Sequence, residues 1–266
     1  MPAIQPARLK HQTAQLSEVF EQPDLFLRNI HNLLRLYADR THRTGQAGEP
    51  PPILESYRVP QPVLREIILE LRPHVLSNPQ AALVLCKFLW AEPVLECRLL
   101  SSALLGQIPP IHPQLVLEPI QEWLETQPED RVLKALLDQG FVRIRLEQPE
   151  FLKGVIQEWL LHEKTFFIRC GLWALLFTAI DPSFHNLPEI FHLLTPFIRT
   201  VSKELRPDIL NILQELAHYA PQETAFLLRK NISRPDSSDT AWITRQVIHE
   251  FPMPIQESLR NALRST

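Results

Sequence analysis

Between residues 149 and 160 the apolar positions are Phe151, Leu152, Val155, Ile156, Trp159 and Leu160. Their spacing of i, i+1, i+4, i+5, i+8 marks one face of an α-helix. An earlier stretch, PQLVLEPIQEWL (113–124), puts Leu115, Val116, Ile120, Trp123 and Leu124 on the matching face, and both stretches end in IQEWL. A lone helix pair cannot bury such a stripe. Stacked copies can, because each covers its neighbour, so the repetition predicts a run of similar helix pairs. Trp123 and Trp159 then read as equivalent packing residues, since an indole buries a large apolar area.

The rest of the chain follows the same rhythm. Helix starts are marked by Pro79, Pro113, Pro149, Pro188, Pro221 and Pro254, at steps of 34, 36, 39, 33 and 33 residues. The first five are each followed by Gln or Glu, and the sixth by Ile255. Pro in the first turn presets φ, and an acidic neighbour suits the positive end of a helix. A second series interleaves with it: Arg65, Arg98, Arg131, Arg169, Arg206 and Arg245, at steps of 33, 33, 38, 37 and 39. Arg98 and Arg169 are each followed, five residues on, by Ala-Leu-Leu. Two interleaved series at this period predict an all-α, HEAT-like α-solenoid of about six helix-pair repeats.

About fourteen helices are expected in all. Two of them, near 5–20 and 23–41, precede the regular units as an N-terminal helical cap. Residues 42–59, HRTGQAGEPPPILESYRV, hold two of the six Gly and three consecutive Pro, and read as a linker. The expected division is therefore 1–59, the N-terminal helices and linker, and 60–266, the repeat solenoid. Pro119 and Pro196 fall inside predicted helices, where each removes a backbone hydrogen bond and predicts a kink.

Composition sharpens this picture. Six Gly and 25 Pro argue against tight-turned sheets and Gly-rich phosphate loops. A net charge of −3 is unlike that of a basic nucleic-acid binder. The three cysteines, Cys86, Cys97 and Cys170, fit neither a zinc site nor a disulfide framework and read as buried, reduced thiols. The opening MPAIQPARLKHQ lacks an apolar signal core, and no apolar run reaches the ~20 residues that span a bilayer. The expectation is a cytoplasmic monomer with no membrane contact.

Catalytic motifs of the common hydrolase, nucleotide-binding and zinc-protease kinds are absent, and the ten His show no metal-ligand spacing. No cofactor and no metal are expected. Two basic spots stand out as anion sites: Arg143 and Arg145 in GFVRIRLEQ, and Arg229, Lys230 and Arg234 in LLRKNISRPD. The alternative is that these cations complement helix C-termini.

The stretch WLLHEKTFFIRCGLWALLFTAI (159–180), with Trp, a polar turn, aromatics, Arg and a small-apolar helix, resembles the DNA alkylation-repair glycosylases with HEAT-like repeats, the AlkD type. FLWAEPVLECRLLSSALL (88–105) resembles that family's preceding helix pair. The likeness covers about 88–180. It implies a concave face that grips duplex DNA and releases positively charged alkylated bases without flipping them out. Aromatic rings and an Asp would stabilise the developing cationic sugar electrostatically. Arg169 takes the place of the family's helix Arg. The family's Trp-Asp-x-x-Asp corresponds to a stretch in which Glu129 replaces Trp, Asp130 matches the first Asp, and Leu133 replaces the catalytic Asp. Trp242–Ile243–Thr244–Arg245 matches the later Trp-x-x-Arg but lies about one repeat too far along. Asp130 and Arg169 are the candidate catalytic residues, with Asp138 as the alternative carboxylate if the match is off by a turn, and an active protein would be an N-glycosylase releasing alkylated bases.

Two functional readings stand side by side. One is a DNA-repair relative contacting duplex DNA through Arg131, Arg143, Arg145, Arg169, Arg206 and Arg245. The other is a non-enzymatic scaffold binding a protein or peptide on the concave face, with each Arg paired to a carboxylate such as Glu96, Asp130, Glu204 or Asp208. Residues 61–126 carry 4 basic and 7 acidic side chains, whereas 127–180 carry 7 of each. Phosphate contact should therefore concentrate beyond residue 127.

Overall fold

The computed structural model describes residues 5–39, 54–184, 186–237 and 239–264. Among them the secondary structure is helical. The single β-bridge pairs Glu55 with Val94. The described residues group into two compact units, Met1–Pro149 and Glu150–Thr266.

The first unit holds α1 (Pro6–Ser17), α2 (Pro23–Tyr37), α3 (Gln61–Ser77), α4 (Pro79–Ala91), α5 (Leu95–Leu105), α6 (Gln114–Glu125), α7 (Asp130–Gln139) and α8 (Val142–Glu147). The second holds α9 (Pro149–Leu160), α10 (Thr165–Ala179), α11 (Leu187–Arg199), α12 (Arg206–Tyr219), α13 (Pro221–Ile232), α14 (Thr240–Val247) and α15 (Met253–Arg264). The basic stretch after α7 forms the six-residue helix α8. The Pro series falls at helix starts: Pro79, Pro149 and Pro221 open their helices, Pro188 and Pro254 stand second, and Pro113 is the residue before α6. Helices α6 and α11 continue through Pro119 and Pro196.

Packing follows the two interleaved series. In the first unit α3 packs on α1 and on α5, and α5 on α7, while α2 packs on α4. In the second unit α10 packs on α12 and α12 on α14, while α13 packs on both α11 and α15. Helices therefore meet their second neighbours in sequence, and the sequence partners α4 and α5, or α12 and α13, close the layers together. The repeated Trp residues serve this packing. Trp123 of α6 stacks on Trp90 of α4 with ring centroids 4.3 Å apart and planes 7° from parallel. Trp159 is buried in the second unit. Close approach also dictates a glycine. A Cβ on Gly106, at the end of α5, would lie 1.7 Å from the Gln139 carbonyl oxygen at the end of α7.

The end of the expected linker is held in place. Leu54 and Val59 are buried, and the Glu96 carboxylate accepts from the Ser56 hydroxyl and from the Tyr57 and Val59 backbone N–H groups. This satisfies a buried carboxylate at the first turn of α5, where the helix dipole favours it. Residues 42–53 of that segment lie outside the described residues. All three thiols are buried, and burial is the main cause that raises their pKa values, pushing Cys97 and Cys170 up to about 12. Among the described residues no helix is long and apolar enough to cross a membrane.

Candidate nucleic-acid interface

The arginine series occupies the layer made by α3, α5 and α7 in the first unit and by α10, α12 and α14 in the second. In the second unit it forms two clusters of the same chemical make-up. Arg169 and Trp173 lie four residues apart on α10, so they share a helix face. Both reach the same oxygen of Asp208 in the first turn of α12: Arg169 Nε donates at 2.9 Å and Trp173 Nε1 at 2.8 Å. Asp208 is 5% exposed, so its charge is tolerated only because two donors satisfy it, one of them cationic. The positive end of α12 adds to this.

One helix further on, the arrangement recurs in looser form. Arg206 opens α12 and lies 4.9 Å over the Trp242 ring at the start of α14. Its guanidinium is 3.8 Å from the Asp239 carboxylate, which also accepts from the Val201 N–H at 2.8 Å. The Arg206 side chain keeps 38% of its surface exposed, and its buried Nε has no hydrogen-bond partner among the described residues. Arg245, three residues after Trp242 on α14, is exposed. The Trp-x-x-Arg segment thus sits beside Arg206 and Asp239.

The first unit treats its arginines differently. Arg98 lies 5.3 Å over Trp90 and donates through Nε to the Glu92 carbonyl at 3.4 Å. Burial lowers its pKa, and Glu129 acts against that shift. Arg143 pairs with Glu147 at 2.6 Å and donates to the Gln107 carbonyl at 3.2 Å. Arg145 is buried, donating to the Asp138 carbonyl at 2.8 Å with the Asp138 carboxylate 3.4 Å away. Arg131 and Asp130 are exposed in the first turn of α7, and Leu133 is fully buried. The structure therefore brings Arg169 and Arg206 into Arg–Asp–Trp clusters, leaves Arg131 and Arg245 facing solvent, and ties Arg143 and Arg145 into their own unit.

Sequence reasoning singled out Asp208 as a partner but missed Asp239 and the roles of Trp173 and Trp242. The signal was present as a third period. Asp208 follows Arg169 by 39 residues and Asp239 follows Arg206 by 33, each one repeat on. Among the described residues no group of three or more His, Cys, Asp or Glu is placed to hold a metal ion.

Against known proteins, one family model matches, over residues 32–247, and its description is DNA alkylation repair enzyme. No curated protein and no solved structure matches the chain.

Proposed function

Since the chain belongs to the DNA alkylation repair enzyme family, we propose that it is a HEAT-like α-solenoid of about six helix pairs that binds damaged duplex DNA along its arginine-bearing helices. The observation that carries this reading is the repeated Arg–Asp–Trp cluster on α10, α12 and α14. Asp208 holds the Arg169 guanidinium at 2.9 Å, and Asp239 lies 3.8 Å from that of Arg206, each beside an indole. A guanidinium held this way keeps donors for phosphate oxygens at little further entropic cost. Arg206 and Arg245 make the phosphate contacts in the second unit, and Arg131 makes them in the first. Arg169, anchored on a buried carboxylate, positions α10 against α12.

The reading separates binding from catalysis. The family's carboxylate position is occupied by Leu133, which is core, so the charge that would face a cationic sugar is not supplied from there. Asp130, exposed one turn earlier, is the carboxylate left for any base release. The test is electrophoretic retention of a short duplex by the wild type and by Arg206→Ala/Arg245→Ala. A mass-spectrometric assay for base released from methylated DNA runs in parallel. Retention should drop about tenfold or more in the double variant, as two lost phosphate contacts imply at moderate salt. Equal retention would remove this surface from the proposal. Base release that survives Asp130→Asn would remove Asp130 from any catalytic role.

A further inference from the structure

The second unit carries a groove of about 680 Å³ between α11 and α13, formed by the other helix layer and separate from the arginine clusters. Its lining runs from the first turns of both helices, at Leu187 and Gln222, to their last turns, at Arg199 and Lys230. Twelve residues of helix make that length about 18 Å. The floor is apolar. Phe191 is half-buried and Phe226 is 60% exposed, a large aromatic surface left to water. The far end is basic. Arg199 is anchored by Asn231 at 2.8 Å and Asp236 at 3.1 Å, whereas Lys230 and Arg234 are exposed and make no ion pair among the described residues.

We propose that this groove seats an amphipathic helix of a protein partner, acidic at the end lying over Lys230 and Arg234. Three features select that occupant. The groove is long and open, so a compact small molecule would cover only part of it. Its walls are helices whose backbone groups are bonded internally, so an extended peptide would find no ladder to join, whereas a helix brings its own hydrogen bonds. Its basic residues lie at one end and the acidic Glu223 at the other, which fixes the orientation of a helix carrying carboxylates over the basic end. Because it uses a different layer from the arginine clusters, the inference stands independently of the DNA reading.

The experiment is selection of a displayed library of random 16-residue peptides against the full chain. Enriched sequences should show apolar residues at i, i+4 and i+7 with carboxylates clustered at one end. A synthetic enriched peptide should bind about tenfold or more weakly to Phe226→Glu and to Lys230→Glu/Arg234→Glu. These residues are exposed, so circular dichroism should match the wild type. A library that yields no enrichment overturns the proposal, as do enriched peptides whose affinity ignores both variants. Concentration-dependent dimerisation that Phe226→Glu abolishes would assign the groove to a second copy of the chain and overturn it likewise.

Discussion

Leu133 stands where the resemblance would put the family's carboxylate, and it is fully buried. Placing a carboxylate there to match the family pattern means burying a charge at a fully buried position. Leu133→Asp should cost about 3 kcal/mol or more, read as a lowered midpoint in urea, and should not create base-releasing activity. Near-normal stability would mean that the site opens to solvent and that a carboxylate fits there. Gly106 is constrained just as tightly, by contact with backbone. Gly106→Ala should destabilise by about 1–3 kcal/mol, because the added methyl meets the Gln139 carbonyl oxygen, which cannot rotate away. The thiols set a pH limit. Cys97 and Cys170 are raised from 9.0 to about 12 by burial, so their contribution to stability is complete below pH 9. It is lost as the pH rises from there through 12. Denaturation followed across that window should show the loss, with native thiols unreactive toward thiol reagents at pH 8.

At the scale of the helix, the Arg169–Asp208–Trp173 cluster couples α10 to α12. Asp208→Ala removes the carboxylate oxygen that accepts from both Arg169 and Trp173, and should cost about 3 kcal/mol. Asp208→Asn should recover part of that by keeping an acceptor for Trp173. Equal loss in the two variants would mean the ion pair alone matters. Much of this level was readable in the sequence. The Pro series marks helix starts because Pro stabilises a first turn wherever the helix later packs. IQEWL recurs because the same face must be covered twice. The clusters were less readable, because Asp208 and Asp239 meet their arginines across a whole repeat. Composition cannot tell a carboxylate that pairs in this way from one on a solvated face. Glu96 makes the point: read as an arginine partner, it binds the backbone N–H groups of Tyr57 and Val59 instead.

For the whole molecule, a net charge of −3 and a family of DNA-acting enzymes are reconciled by distribution. The acidic excess of 61–126 and the exposed arginines beyond it predict that bound duplex protects Arg131, Arg206 and Arg245 from guanidinium-modifying reagents and leaves Arg65 and Arg72 reactive. Uniform protection along the chain would contradict that division. The most direct measurement is fluorescence anisotropy with a short duplex, intact and carrying an abasic-site analogue, titrated at two salt concentrations. The account predicts binding that tightens at the lesion, falls steeply with salt, and loses salt slope in Arg206→Ala/Arg245→Ala. No binding to either duplex at low salt would contradict it, leaving the family relationship as one of scaffold alone.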